Sequence, residues 1–375
     1  MKLRVLCAAF LSVSLVSLVF LTRGSSARSD NSNNPRARVT QNPTPSPTPP
    51  KEEETINSDE VLRVETNLTN VFFTAADKNK RFISTLKRED VRVLEDGVPQ
   101  QVFTFQQSAD LPLSMAILID TSRSEERTLP EEKLAAKAFL EAVMRAEKDE
   151  AAVVSFTGEA TLEQGLTGNV ARLRRAIDRV EYVPPSGLIG GGVVVGGTPP
   201  ISDSQQMLAG STAIWDAVWT TSNEIIRDSA EHTRRAIILL TDGQDTSSQM
   251  RRDDAIKAAV KVDALVYAIG IGDRYSYGID EGSLKKITEA TGGRAYFPHN
   301  ERDLRDAFMQ IQRELREQYL IAYSSSNKAR DGAYRRVTIE ITNPELQQQS
   351  LKLTYRPGYF AKTPEAAPAN PAKKP

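Results

Sequence analysis

Cysteine and histidine are almost absent from this sequence. The single cysteine, Cys7, lies in the N-terminal leader, so the rest of the chain has neither a disulfide framework nor a thiolate metal site. The only two histidines, His232 and His299, lie far apart, which nearly excludes imidazole zinc sites and histidine-based catalytic triads. Positive charge is not in excess either, because the net charge is -1, and the composition gives no indication of nucleic-acid binding.

The N-terminus has the pattern of a secretory signal peptide. Lys2 and Arg4 precede an apolar run from Val5 to Leu21, and Ser25-Ser26-Ala27 fits a small-residue cleavage site. The alternative is an uncleaved anchor, since the run nearly reaches the ~17–25 residues of a membrane span. In either case we predict export to the periplasm, the cell surface or the medium.

Hydrophobic periodicity predicts a central α/β segment with short β segments on both sides. In the centre, apolar strands alternate with amphipathic helices, which is typical of a doubly wound, mostly parallel sheet flanked by helices. The Asp96-Gly97 turn predicts a hairpin of Val91–Leu94 with Gln101–Phe105, and a second hairpin is predicted to join Val337–Ile341 to Leu351–Tyr355. Because isolated hairpins are marginal in water, we expect both flanking segments to form one small β-sandwich.

These patterns give six predicted segments. The linker and the tail are rich in proline and polar residues and cannot bury enough apolar surface to fold. The glycine-rich stretch Val183–Gly210 fits neither helix nor strand, and it is interpreted as a flexible insertion or as a mobile lip beside a site. The boundaries are 1-27 for the signal peptide, 28-57 for the linker, 58-109 for the first β segment, 110-318 for the α/β domain, 319-361 for the second β segment and 362-375 for the tail.

Oxygen-bearing side chains follow two strongly apolar runs. Met115–Ile119 and Ala236–Leu240 predict strands that are buried on both faces of a parallel sheet. Polar residues at the carboxyl ends of such strands, together with a helix start between them, can meet in one crevice. The candidate metal ligands are Asp120, Ser122, Ser124, Thr212 and Asp242.

Hard oxygen donors of this kind suit Mg²⁺, with Mn²⁺ or Ca²⁺ as alternatives, rather than Zn²⁺. Two carboxylates leave a six-coordinate site incomplete, so that water or an outside carboxylate could complete it. Each residue alone also has an ordinary explanation, such as helix capping or a loop hydrogen bond. It is their combination at strand ends that indicates a site.

The combination resembles the metal-ion-dependent adhesion site of von Willebrand factor type A (VWA) domains. In that family the first strand ends in Asp-x-Ser-x-Ser, a later loop supplies a threonine, and the fourth strand ends in an aspartate. The five candidate residues match these positions, and the middle x, often glycine in the family, is Arg123 here. The resemblance implies a VWA fold for 110-318, a cation held directly or through water, and a protein partner whose Glu or Asp supplies the last ligand.

The flanking segments, including Leu94-Glu95-Asp96-Gly97 and Arg356-Pro357-Gly358-Tyr359, resemble an exported, acidobacterial-type subfamily of these proteins.

The function expected from the resemblance is an exported adhesion or binding module that is not an enzyme. One alternative is a structural envelope protein in which the metal only braces loops. Another is a Mg²⁺-dependent hydrolase, against which stand the lack of an Asp-x-Asp pattern at Asp120 and of a Gly-x-Ser-x-Gly elbow.

Overall fold

The computed structural model describes residues 68–145, 147–182, 211–230, 232–272 and 278–363, with only the backbone of Arg123. The predicted signal peptide, the linker, the stretch Val183–Gly210 and nearly all of the tail lie outside the described residues. Within the described ranges, no helix is long and apolar enough to cross a membrane.

The described residues form fourteen strands and seven α-helices. The strands are β1 (Leu68–Ala76), β2 (Val91–Glu95), β3 (Val98–Pro99), β4 (Val102–Gln107), β5 (Leu113–Asp120), β6 (Glu150–Phe156), β7 (Ala160–Thr167), β8 (Arg234–Thr241), β9 (Ala264–Gly270), β10 (Ala295–Tyr296), β11 (Tyr319–Ser324), β12 (Tyr334–Ile341), β13 (Lys352–Tyr355) and β14 (Gly358–Phe360). The helices are α1 (Leu129–Val143), α2 (Val170–Arg179), α3 (Ile214–Thr220), α4 (Arg252–Lys261), α5 (Glu281–Thr291), α6 (Glu301–Arg316) and α7 (Pro344–Gln348).

A six-stranded sheet in the order β10-β9-β8-β5-β6-β7 forms the centre of the α/β segment. All neighbours are parallel except β6 and β7. Every residue of β5 is buried because helices cover both faces. Alternate side chains of β5 enter two cores: Met115 and Ile117 pack with α1, α2 and α6, whereas Ala116 and Leu118 pack with α3, α4 and α5. The predicted doubly wound fold is confirmed.

Two antiparallel sheets, β13-β1-β11-β4 and β14-β12-β2-β3, contain the strands of both flanking segments. Strand β1 pairs with β11, and β2 pairs with β12, so residues from before and after the α/β segment lie side by side. One hydrophobic core joins the two sheets, with Phe73 and Tyr319 from the first and Val93 and Val337 from the second. The small β-sandwich predicted from the flanks is therefore present.

Both predicted hairpins have the wrong partner strands. Asp96-Gly97 does form a turn with positive φ angles of 48° and 83°, but it leads into the short β3, and β4 lies beside β11 in the other sheet. Likewise β12 pairs with β14 and β2, whereas β13 pairs with β1, and the connection between them is α7 with Asn343 as its N-cap. Local alternation identifies a strand, but long-range packing in a sandwich decides its partner.

Candidate metal centre

Three loops meet at the carboxyl edge of the six-stranded sheet. The loop after β5 carries Asp120, Ser122 and Ser124, and the loop after the adjacent β8 carries Asp242. The third loop precedes α3, and its Thr212 is joined to the loop after β8: the amide of Thr212 donates to Thr246 Oγ1 (2.8 Å). The sequence thus placed four of its five candidates at two neighbouring strand ends, and the fifth is tied to one of those loops.

Asp120 is fully buried, and both of its carboxylate oxygens accept hydrogen bonds. The amide of Ser122 donates to Oδ1 (2.9 Å), and the hydroxyl of Thr241 donates to Oδ2 (2.6 Å). Burial raises the pKa of Asp120 to about 7, and the charge of Asp242 adds to the shift. The hydroxyl groups of Ser122 and Ser124 lie 3.1 Å apart and share a hydrogen bond.

Asp242 is also buried, and burial raises its pKa. Its Oδ1 accepts a hydrogen bond from the amide of Gln244 (2.8 Å), and the hydroxyl of Ser124 also interacts with its carboxylate. Gly272, with a φ of 153°, approaches so closely that a Cβ there would lie 2.9 Å from the Cβ of Asp242. The backbone of Gln244 and the backbone of Gly272 therefore restrict the position of Asp242, whose strand β8 is the neighbour of β5.

Sequence reasoning missed two buried glutamates at this edge. Glu125 ends the 3-10 turn that follows the serines, and its carboxylate lies within 4.8 Å of those of Asp120 and Asp242. Glu132 is on α1 and is completely buried. A signal for Glu132 was present, since it shares the buried stripe of α1 with Leu129 and Ala136 at helical spacing. Glu125 directly follows the Asp-x-Ser-x-Ser motif but has no periodicity of its own.

The two glutamates are poorly satisfied by the protein. Glu125 Oε2 accepts a hydrogen bond from Thr128 Oγ1 (2.7 Å), whereas Glu125 Oε1 and both oxygens of Glu132 receive no hydrogen bond of ordinary geometry from a described donor. The two glutamate carboxyl groups lie close enough to share a proton. Burial raises the pKa of Glu125 well above its ordinary value, and the charges of Glu132 and Asp120 add to this effect. Burial likewise raises the pKa of Glu132 to about 7. Buried carboxylates without partners are costly, so they call for a proton or a cation.

Basic side chains do not compensate these acids. Across the described ranges, none of the ion pairs includes Asp120, Glu125, Glu132 or Asp242. The donor set consists of carboxylates and hydroxyl groups, and one carboxylate oxygen each of Asp120, Glu125 and Asp242 lies within 4.8 Å of the others. It fits a hard divalent cation, and it contains none of the sulfur or imidazole ligands of structural zinc sites.

Comparison with protein families agrees with this arrangement. Two family profiles, both described as von Willebrand factor type A domain, match residues 115–244 and 201–310. Residues 115–310 therefore contain a von Willebrand factor type A domain, a class of domain known for metal-dependent adhesion and protein interaction. No curated protein matches the sequence.

Several solved structures are similar to parts of the chain. Proximal thread matrix protein 1 from the mussel byssus is 19% identical, with a TM-score of 0.44 over 59% of this chain and 51% of that chain. The conserved hypothetical protein BatB from Bacteroides thetaiotaomicron is 18% identical, with a TM-score of 0.41 over 54% of this chain and 98% of that chain. A von Willebrand factor type A protein from Catenulispora acidiphila is 15% identical, with a TM-score of 0.43 over 79% of this chain and 74% of that chain. The match thus spans about half of the mussel protein. Another structure of that protein has a zinc-occupied metal-ion-dependent adhesion site (MIDAS) motif.

Proposed function

We propose that this chain is an exported binding module that recognises a protein ligand through a divalent cation, and that it is not an enzyme. The observation that carries the proposal is the pairing of buried Asp120 and Asp242 at adjacent strand ends, beside two serine hydroxyl groups and without a basic partner. A structural salt bridge would include a cationic side chain, whereas these two carboxylates have only amide and hydroxyl donors among the described residues, which leaves their negative charge available to a cation.

Five residues would hold the cation directly or through water: Asp120, Ser122, Ser124, Thr212 and Asp242. Mg²⁺ is the expected cation, with Mn²⁺ or Ca²⁺ as alternatives, because every donor is a hard oxygen. When bound, the cation offers a coordination position to a Glu or Asp carboxylate of a partner. The protein contributes orientation, since the amide of Ser122 and the hydroxyl of Thr241 fix Asp120 before any ligand arrives.

Loop bracing alone is a weaker explanation of the site. The loops are already connected by protein hydrogen bonds: the amides of Thr246 and Ser247 donate to Thr212 O (2.9 and 3.1 Å), and the hydroxyl of Thr241 donates to Asp120 Oδ2 (2.6 Å). A cation is therefore not needed to hold the loops together. Export is proposed from the signal-peptide pattern at residues 1-27.

Isothermal titration calorimetry tests the metal site directly. The folded chain without residues 1-27 is titrated with Mg²⁺, Mn²⁺, Ca²⁺ and Zn²⁺, next to Asp242→Asn and the exposed control Asp110→Asn. Losing even an outer-shell partner costs about 10–100-fold in metal affinity, so losing a ligand in Asp242→Asn should cost at least tenfold. Equal Mg²⁺ affinity of wild type and Asp242→Asn would remove the basis of the proposal.

A pull-down tests recognition. The same chain is immobilised and exposed to envelope extract in the presence of Mg²⁺ or EDTA, with Asp242→Asn as the matched control. We expect proteins that are retained only by the wild type with Mg²⁺. Retention that is equal in EDTA would instead favour a structural envelope role, and turnover of a phosphate ester that is lost in Asp120→Asn would favour a hydrolase.

A further inference from the structure

We infer that Glu125 is a sixth protein ligand of the metal site, so that the chain itself supplies the carboxylate otherwise expected from a partner. The inference rests on the proposed metal site and concerns its regulation. Nothing in the Asp-x-Ser-x-Ser pattern requires an acid at this position, and it is the structure that brings Glu125 to the two aspartates.

Distances support coordination of one cation by three carboxylates. One oxygen each from Asp120, Glu125 and Asp242 lies within 4.8 Å of the others. Ligands on opposite sides of an octahedral Mg²⁺ are about 4.2 Å apart and those of Ca²⁺ about 5 Å, given metal–oxygen distances of about 2.1 and 2.5 Å. The three oxygens are therefore close enough to share a cation with side-chain adjustments of less than about 1 Å.

The orientation of Glu125 points to the same role. Thr128 Oγ1 holds Glu125 Oε2 at 2.7 Å, which leaves Oε1 buried and without a hydrogen-bond partner among the described residues. The side chain has no solvent exposure, so water does not satisfy this oxygen at the surface. A buried carboxylate that is held by Thr128 and has an oxygen within 4.8 Å of two aspartate oxygens has the arrangement of a metal ligand whose own orientation is secured.

Glu132 provides an internal comparison. It is as buried as Glu125, and both of its oxygens lack partners, but it does not belong to the set of three carboxylates that lie within 4.8 Å. Its carboxyl group is in contact with that of Glu125. The two glutamates therefore share burial and charge and differ in access to the cation.

An internal ligand changes how a partner binds. With Glu125 in place, three carboxylates more than balance the charge of a divalent cation, and an acidic partner has to displace Glu125 to reach it. The site is then closed in the absence of partner, and ligand binding includes an exchange of one carboxylate for another. This exchange would favour release of the partner, since Glu125 remains tethered next to the site at high effective concentration.

The test uses three Glu→Gln variants that keep side-chain size. Mn²⁺ is titrated by calorimetry and by electron paramagnetic resonance into the wild type, Glu125→Gln, Glu132→Gln and the exposed neighbour Glu126→Gln. We expect at least tenfold weaker Mn²⁺ binding in Glu125→Gln, a smaller loss in Glu132→Gln, and a change below twofold in Glu126→Gln. Unchanged affinity in Glu125→Gln, or an equal loss in Glu132→Gln, would overturn the inference.

Water-proton relaxation separates ligation from folding. At saturating Mn²⁺, Glu125→Gln should admit additional coordinated water and increase relaxivity, whereas Glu126→Gln should match the wild type. Metal-free Glu125→Gln should melt at or above the temperature of the wild type, which shows that weaker binding is not caused by unfolding. If Asp242→Asn loses Mn²⁺ while Glu125→Gln retains it, only the internal ligand is wrong; if both retain it, the proposed function fails as well.

Discussion

Acidic side chains are buried at both edges of the six-stranded sheet, but their hydrogen-bond and ion-pair partners differ between the two edges. At the amino edge, Asp149 accepts hydrogen bonds from the amides of Leu113 and Arg145 (both 2.9 Å) and from the guanidinium of Arg145 (2.7 and 2.8 Å). At the carboxyl edge, Glu125 and Glu132 keep unpartnered oxygens within the described structure. The buried acid of the amino edge is neutralised by a basic side chain, whereas the buried acids of the carboxyl edge have no basic partner among the described residues.

The pKa shifts record this difference. Burial by itself raises the pKa of Asp149, but hydrogen bonds from Arg145 and Leu113 outweigh it, and the resulting pKa lies below the ordinary value. Burial raises the pKa of Asp120 to about 7 without a basic residue to oppose it. Buried acids that have a basic partner and buried acids that lack one thus differ in the direction of their pKa shifts.

The largest effect is expected from Asp149→Ala. Removing one partner of a buried charge pair leaves Arg145 without its carboxylate and frees the amide of Leu113, which should lower the free energy of unfolding by about 3–5 kcal/mol. Urea unfolding followed by circular dichroism measures the change. The exposed control Asp110→Ala should change the free energy by less than about 0.5 kcal/mol.

The stabilisation of the fold by Asp149 should decrease as the pH is lowered. Because the folded-state pKa lies below the ordinary value of 3.8, the stabilisation is fully present above pH 3.8 and is lost as the pH falls through the lower, folded-state pKa. The difference between wild type and Asp149→Ala should therefore be constant from pH 7 to 5 and shrink below 3.8. A difference that persists at low pH would mean that packing, not the charge, stabilises this edge.

The next largest effect is expected from Mg²⁺. At a free concentration of one hundred times Kd, binding should raise the free energy of unfolding by about 2.7 kcal/mol. The free energy of unfolding of Asp149→Ala should rise by the same amount when Mg²⁺ binds. Seven residue steps along β5 separate the two edges by about 23 Å, and the effects of changes at such distant sites are additive. Urea unfolding with Mg²⁺ or EDTA measures this, and a gain in Asp242→Asn equal to that of the wild type would contradict the assignment of the site.

Much of the carboxyl edge could be predicted from the sequence, because parallel strands under helices must be continuously apolar. Met115–Ile119 ends at Asp120 with no ambiguity, and Ala236–Leu240 places Asp242 next to it once the strands are adjacent. The partners of β4 and β13 could not be predicted, because a strand of a sandwich is assigned to a sheet by contacts distant in sequence. Glu125 could not be predicted for a related reason. It is positioned by a single 3-10 turn, which is too short to produce a hydrophobic periodicity in the sequence.

A smaller stabilisation, opposite in sign to the effect of Asp149→Ala, is expected from Glu132→Met in the metal-free protein. Methionine has nearly the same length and shape but carries no carboxylate to leave unpartnered, so the free energy of unfolding should rise by about 1–3 kcal/mol. The exposed neighbour Glu131→Met is the matched control and should show little change. Destabilisation by Glu132→Met would indicate that this acid is satisfied in the folded protein and that the two edges are alike.

The smallest effect is expected from an acid that has a basic partner but lies at the surface. Glu141 on α1 pairs with Arg174 on α2 at 2.7 Å, and both side chains are about half exposed. Water and salt already solvate these charges, so Glu141→Gln should lower the free energy of unfolding by only about 0.2–1 kcal/mol, and the loss should disappear in 1 M NaCl. Urea unfolding at low and high salt measures both values. The pairing resembles that of Asp149 with Arg145, so a loss as large as that of Asp149→Ala would mean that pairing, rather than burial of the pair, accounts for the stability of the amino edge.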